Sequence, residues 1–566
     1  MVRMHITDRN KEEKEMGVNL KAKPFYLSDS EIEWVNKTKA KLSDEQKAGQ
    51  LFCVLGTAFP LDELKKMVSK KAVGAVLYRP APAEDIKKWF SELDESAAIP
   101  ILKAANLEEG GSGGTSDGTF FGWPMTAAAT DDAEIVEKFA KLTAAEGRMI
   151  GVNWTFSPVS DIDMNCLNPI TNVRSYGSSV DRVKRFTEIF AEGMQAGGIA
   201  ACAKHFPGDG VDFRDHHLHP SYNSLSAKDW YESYGSIYQN LIDKGLLSVM
   251  VGHIVQPNVE MDINPELKFE DCLPASQSKE LLQGVLREKY GFNGLITTDA
   301  TIMGGFCMTM KRKDAIPAAI NAGCDMLVFN TDFEEDYGYM LSAIKDGRIS
   351  SERLDEAITR ILALKAKVAV RKPVTEENKE VLSHAKEWQK ECADKCVTLV
   401  KNVTGIVPVE KGRYNKIRLI LLGNMDVLDG NIESMAREFF ESRGFKVETY
   451  DPFADDLHGT ANLEKDTLSL YLANLETASN QTTVRINWCE KHALDTPRYV
   501  CEEDSVFISF ANPYHLMDIP RVKTYINAYS ANKAIVEAAL EKVLGESAFK
   551  GVSPVDAFCG LPDTRL

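Results

Sequence analysis

A chain of 566 residues exceeds what one hydrophobic core usually organises, so two or three domains are expected. Its 44% apolar and 26% charged residues are those of a globular protein and exclude a disordered chain, while a formal net charge of −17 argues against nucleic acid as a partner. Eleven cysteines, an odd number without paired spacing, exclude complete internal pairing and read as reduced, mostly buried thiols, Cys392 and Cys396 in "ECADKC" among them.

The opening "MVRMHITDRNKEEKEMGVNL" lacks the apolar core of a secretion signal. No later run approaches the roughly 20 apolar residues of a membrane span, so a cytoplasmic protein without a membrane partner is expected. Residues 1–40 read as an N-terminal arm. From "LSDEQKAGQLF", where Ser43 and Gln46 have the spacing of a capping box, to about residue 370, short apolar runs alternate with helical patterns. The runs are "LFCVLG" from Leu51, "VGAVLY" from Val73, "PILKAA" from Pro100, "GVNWTF" from Gly151, "GIAACAK" from Gly198, "LLSVMVG" from Leu246, "GLITT" from Gly294 and "CDMLVFN" from Cys324. Eight strands alternating with helices predict an α/β chain whose residues 41–370 form a (β/α)8 barrel, with a doubly wound open sheet as the alternative. Residues 371–395 read as a charge-rich linker helix. Over 396–566 the runs "KIRLILLGN", "FKVETYDPF", "SVFISFANP" and "KTYINAYS" predict a smaller αβα sandwich. Its Arg485 and Trp488 read as a packed edge, and the domain as a scaffold or a dimer interface, with monomer and homodimer both open.

In such barrels the working groups sit at the C-terminal ends of the strands and on the loops that follow. Polar residues gather there: "NLEEGGSGGTSDG" after the third strand, "SPVSDIDMNCLNPITNVRSYG" after the fourth, "KHFPGDGVDFRDHHLHP" after the fifth, His253 after the sixth and Asp299 in "LITTDATIM" after the seventh. Asp299 is placed to act as a nucleophile or a ligand, or to cap the next helix. Asp215 and His217 have the Asp-x-His spacing that lets a carboxylate orient an imidazole and raise its pKa, making a general acid/base. His205, His216, His217 and His219 match no structural zinc motif, so no metal is expected, and His216 and His219 read as loop residues bonded locally or facing solvent. His253 reads either as a satisfied core histidine or as a site residue. The glycine-rich "GGSGGTSDG" lacks the ending of a phosphate-binding loop and reads as a mobile rim over the barrel mouth. Phe120, Phe121 and Trp123 beyond it could stack on a sugar or anchor the loop.

Together these residues resemble the bacterial β-N-acetylglucosaminidases of glycoside hydrolase family 3, whose hallmark is Lys-His-Phe-Pro-Gly-His-Gly followed by Asp-x-His. Here "KHFPGDG" is followed by "DHH", and the likeness continues in "NPITNVRSYG", "VMVGHIVQP", "LITTDATIM", "CADKCVTLVKN" and "SFANPYHLMDIPRVKTYINAYS", over nearly the whole chain. The resemblance implies a cofactor-free, exo-acting retaining hydrolase that removes terminal β-linked N-acetylhexosamine from oligosaccharides, with cell-wall muropeptides or chitin-like chains as substrates. It implies Asp299 as the nucleophile, His217 as the acid/base and Asp215 as its dyad partner, with a covalent glycosyl-enzyme between two displacements. Lys204, His205 and Arg174 match residues that hold the sugar hydroxyls. Asn106, Glu108, His253 and Met303 complete the expected sugar-binding set. Three positions depart from the pattern: "ANLEEGG" puts Asn106 two before Glu108, Asp209 stands where the second histidine of the turn is usual, and Ala300 follows Asp299 in place of a second aspartate. The preferred sugar is therefore open. A neutral imidazole does not repel an anionic acceptor, so phosphorolysis is an alternative to hydrolysis, and a sugar-binding relative with weak chemistry is another.

Overall fold

The computed structural model describes residues 17–369, 376–410, 412–451, 465–488, 496–497 and 500–566. The opening sixteen residues, the first part of the expected linker, the end of "FKVETYDPF" and "CEKH" after Trp488 lie outside these. Ser43 caps the helix Asp44–Gln50 by accepting from Gln46 N, and Gln46 returns the bond, as the spacing predicts. The expected arm contains a helix of its own, Asp29–Lys39, capped in the same way by Ser28 and Glu31 and anchored through buried Val35.

The eight predicted runs form eight strands: β1 (Phe52–Leu55), β2 (Ala75–Leu77), β3 (Leu102–Ala105), β4 (Trp154–Thr155), β5 (Cys202–Phe206), β6 (Ser248–Val251), β7 (Leu295–Ala300) and β8 (Met326–Val328). They pair in the order β4-β3-β2-β1-β8-β7-β6-β5, every pair parallel. The two end strands meet through bridges from Trp154 to Ala200 and from Val159 to Lys204, so the sheet curls into a barrel rather than opening into a doubly wound sheet. Buried Trp154 fills its interior and donates its indole N–H to Ser248 Oγ at 2.9 Å.

Beneath the strand that carries Asp299, the base of the barrel is locked by a buried charge. Asp325, fully buried just before β8, accepts from Arg287 at 2.7 Å, Arg353 at 2.5 Å, Arg360 at 3.3 Å and the Ile296 amide at 3.0 Å. A buried carboxylate is tolerated only with such partners.

Beyond the barrel, helices Glu376–Ser383 and Ala385–Cys396 lead into a second sheet, with Cys392 and Cys396 buried. Its strands are β9 (Thr398–Asn402), β10 (Lys416–Gly423), β11 (Lys446–Thr449), β12 (Thr467–Asn474), β13 (Ser505–Ser509) and β14 (Thr524–Asn527), in the order β9-β14-β13-β12-β10-β11. Only β9 runs antiparallel to its neighbour. Helices Ile432–Glu441 and Lys533–Val543 pack on this sheet. Two strands of this sheet go unrecognised in the sequence, the first being β9. The second, β12, is central and buried along its whole length, yet "TLSLYLAN" is rich in Leu, and a short apolar run does not separate strand from buried helix. Among the described residues no helix is long and apolar enough to cross a membrane.

Lys365 on the last barrel helix, Ser351–Val368, is fully buried and donates to Gln50 Oε1 at 2.7 Å. Burial pulls its ammonium down to about 7, whereas an unfolded lysine titrates near about 10.4. Between these values unfolding takes up a proton, so stability rises with pH across that window. Lys365→Met should flatten this slope, measured by denaturant midpoints from about pH 7 to about 10; an unchanged slope would mean that the ammonium stays charged in the folded protein.

Candidate active site

At the C-terminal mouth of the barrel lies a cleft of about 490 Å³, and Asn106, Glu108, Arg174, Lys204, His205, His217, Asp299 and Met303 all line it. The loop after β3 is thus brought together with the loop after β4, with β5 and the loop that follows it, and with the end of β7. A strand sends successive side chains to opposite faces, yet Lys204 and His205 both face the cleft. The register of β5 against β6 shifts between Ala203 and Phe206, which re-aims one of them. The Lys204–His205 peptide is cis.

Glu108 is the hub of one wall. Arg174 grips it with two bonds, Nε to Oε2 at 2.8 Å and Nη2 to Oε1 at 2.9 Å, and Lys204 pairs with Oε1 from the other side. Burial alone would raise the Glu108 carboxyl, but these two cations outweigh it and hold it well below the usual range. Asn106 lies at the edge of this cluster, 3.5 Å from Lys204 Nζ.

His205 is oriented by a residue that the sequence reading does not single out. Asp161, fully buried in the loop after β4, accepts from His205 Nδ1 at 2.7 Å, from the His205 amide at 3.0 Å and from the Asp209 amide at 2.8 Å. A carboxylate only accepts, so Nδ1 carries the proton and Nε2 is left facing Asp299. Asp299, at the end of β7, uses Oδ1 to accept from the Ala300 amide at 2.7 Å. Its Oδ2 is buried without a hydrogen-bond partner, 3.8 Å from His205 Nε2 and 3.9 Å from His216 Nε2. Burial would raise this carboxyl, but the charge that the surrounding imidazoles carry when protonated, His205 foremost, pulls it below the usual range.

The imidazole of His217 also lines the cleft, 22% exposed, with Nδ1 2.6 Å from Asp215 Oδ1. Asp215 is spent on holding this loop. Oδ1 also accepts from the His217 amide at 2.8 Å, and Oδ2 accepts from the Asn480 amide of the second domain at 2.7 Å. Nδ1 is therefore the protonated nitrogen, and Nε2 is left for the cleft.

Other expected positions are placed differently. His253 does not line the cleft: it is fully buried behind Asp299, with Nδ1 2.9 Å from Ser276 Oγ and Nε2 3.1 Å from the Ala300 carbonyl, and burial lowers it to about 4. It is a core histidine that braces the backbone after β7. His216 is no solvent-facing loop residue either; it is fully buried, neither ring nitrogen has a partner, and burial holds it neutral. Asp209 beside it is pushed up to about 8 by burial and by Asp161. The glycine-rich loop is packed down rather than projecting as a rim. A Cβ on Gly113 would meet the Asn106 carbonyl at 1.8 Å and one on Gly111 would meet Glu146 at 2.0 Å. Phe121 stacks on Phe139 in the core, whereas Trp123 reaches the cleft. Arg485 pairs with Asp518 within the second domain.

The second domain itself is a wall of the site. Thr477, Ala478, Ser479 and Asn480, in the loop after β12, line the cleft, and Thr477 Oγ1 donates to the Pro169 carbonyl. No motif in the sequence marks this loop; a polar segment following a buried strand is its only trace.

Among the described residues one group of side chains brings three or more metal-ligating atoms together, that of His205, His216 and Asp299. The loop bearing His216 and His217 rests directly on the turn after Asp299. Gly304 N donates to the His217 carbonyl at 2.7 Å and Gly305 N to the His216 carbonyl at 3.3 Å. A Cβ on Gly304 would lie 2.1 Å from the Leu218 carbonyl oxygen, a contact only glycine permits. Gly304→Ala should unseat the loop and speed amide exchange at Leu218 and His219 about tenfold, one decade for each ~1.4 kcal/mol of lost local stability. Hydrogen-exchange mass spectrometry checks this, and unchanged protection would mean that Asp215 alone holds the loop.

The profile of the glycosyl hydrolase family 3 N-terminal domain matches residues 44–364. A β-N-acetylglucosaminidase/β-glucosidase from Cellulomonas fimi is 40% identical over 565 residues, covering 97% of this chain and 100% of the relative. A β-hexosaminidase from Methylobacillus flagellatus is 26% identical over 290 residues, 49% of this chain and 78% of the relative. Among solved structures, a β-glucoside phosphorylase bound to 2FGlc superposes with a TM-score of 0.90 at 43% identity, over 96% of this chain and 99% of that one. A family 3 β-N-acetylglucosaminidase from Paenibacillus sp. str. FPU-7, at 24% identity and a TM-score of 0.76 over 92% of this chain and 100% of that one, shares the fold. With its barrel matched by the family profile and its full length by relatives of 40% identity or more, the chain belongs to glycosyl hydrolase family 3 and is a glycosidase.

Proposed function

We propose that the protein is a retaining, exo-acting β-N-acetylglucosaminidase in which Asp299 is the nucleophile and His217 the acid/base. The observation that carries this reading is Asp299 Oδ2: buried and unpartnered beside the cleft that His217, paired with Asp215, also lines. In the first step Oδ2 attacks the anomeric carbon while His217, protonated, gives its Nε2 proton to the leaving oxygen; in the second, His217 takes a proton from the acceptor that displaces Asp299. Asp215 keeps the ring oriented through both steps. Arg174 and Lys204, held by Glu108, offer donors to the sugar hydroxyls, and His205 Nε2 lies beside the reacting carboxylate. A closed wall from the second domain and a cleft of about 490 Å³ suit a terminal sugar rather than a long chain.

A second reading has its own support. Both oxygens of Asp215 are occupied and buried, so the acid/base rim presents an imidazole rather than a bare carboxylate to an incoming anion. A similar structure is named a β-glucoside phosphorylase, and the relative from Cellulomonas fimi carries both an N-acetylglucosaminidase and a glucosidase name. Phosphate as acceptor and glucose as the sugar are the alternatives.

Rates on aryl β-N-acetylglucosaminide and aryl β-glucoside, with and without phosphate and with the sugar product identified, separate these readings. Free N-acetylglucosamine in both conditions is the expected outcome; a sugar 1-phosphate would replace hydrolysis by phosphorolysis. Asp299→Asn should lower kcat/KM by roughly a thousandfold or more, about 4 kcal/mol of transition-state stabilisation. A 2-deoxy-2-fluoro glycoside should add its sugar mass to the peptide containing Asp299, and labelling at any other residue would remove Asp299 from the role.

A further inference from the structure

We propose that His205 Nε2, His216 Nε2 and Asp299 Oδ2 form a capture site for a divalent cation of the zinc type, and that the bound cation inhibits the enzyme. The three donor atoms lie within 4.8 Å of one another. None is spent on a hydrogen bond: Asp299 Oδ2 and both nitrogens of His216 are buried without partners, and His205 Nε2 is bare because Asp161 holds the proton on Nδ1. Unpaired buried polar atoms are costly, and two of them, Asp299 Oδ2 and His216 Nε2, converge with His205 Nε2 on a space that an ion would satisfy.

The donors are also pre-positioned. His205 is fixed by a carboxylate on its far nitrogen, the arrangement that orients metal-ligating imidazoles and raises their basicity. Asp299 is fixed through Oδ1 by the Ala300 amide, and the His216 segment by the Gly304 and Gly305 amides. A tetrahedral zinc ion with bonds of about 2.0–2.1 Å spaces its donors roughly 3.4 Å apart. The contacts of 3.8 and 3.9 Å to Asp299 Oδ2 therefore have to close by about half an ångström, and the two imidazole nitrogens, within 4.8 Å of each other, by up to about 1.4 Å. Two imidazoles and one carboxylate favour borderline cations over magnesium or calcium, which prefer all-oxygen shells. Asp299 and His205 line the cleft, so the remaining coordination position opens to it and the ion enters by the same route as the sugar.

The inhibition rests on the reading of Asp299 as nucleophile, because an oxygen bound to a cation cannot attack carbon. The test uses the full-length protein freed of metal with a chelator and then dialysed against Zn2+, with Co2+ as a spectroscopic replacement and Mg2+ as a competitor. The expected result is one Zn2+ per chain, visible absorption bands for Co2+, no displacement by Mg2+, and affinity at least tenfold weaker in both His216→Gln and Asp299→Asn. Each variant's thermal unfolding midpoint is taken alongside, and two independent ligand changes keep the outcome readable if one fails to fold. Absence of stoichiometric binding, or binding that neither substitution weakens, would overturn the site. Stoichiometric binding that leaves turnover of the aryl glycoside unimpaired would keep the site and remove Asp299 from its nucleophilic role.

Discussion

The active cleft is organised around a carboxylate that never reaches it. Asp161 is fully buried, and an isolated charge there would be costly by several kcal/mol. It is tolerated because three N–H groups converge on it, two from His205 and one from Asp209. Those bonds pin the end of β5 to the loop after β4, across the seam where the barrel closes. They also choose the tautomer of His205 and set the course of the turn that carries the chain on toward His217.

A second set of constraints joins the loop bearing His217 to the turn after Asp299. The turn after Asp299 is built of two glycines because the carbonyls of His216 and Leu218 lie where side chains would otherwise be. His253 supports the same turn from behind through the Ala300 carbonyl. The position of His217 relative to Asp299 is thus a property of backbone contact, and the Asp215–His217 bond orients the ring within that frame.

The smaller domain supplies what the barrel lacks. The Asn480 amide satisfies the second oxygen of Asp215, and Thr477 to Asn480 close one side of the cleft. Tyr514 donates to Asp163 and Asn172 to Asn512 across the same boundary. A scaffold or dimer interface was the expectation for this domain from its sequence. In the structure it lines the cleft, because the buried carboxylate of Asp215 takes the donor for its second oxygen from this domain.

Local rules made much of this protein legible in its sequence. Alternation of apolar runs with helical periodicity located all eight barrel strands, the Ser43 cap followed from spacing alone, and the polar residues after the strands included Asp299, His217, Lys204, His205, Glu108 and Arg174, which meet in one cleft, with Asp215 buried behind His217. Strand β12 escaped because its residues suit either a helix or a strand, and only burial between two neighbours decides. His253 and His217 look equally chemical in sequence; the fold makes one a core brace and the other a rim imidazole. The roles of Asp161, His216 and Asn480 also required the tertiary structure. Periodicity and capping act over a few residues and are written in the chain, whereas which polar atoms are buried, and which of them find partners, depends on groups brought together from tens to hundreds of residues away.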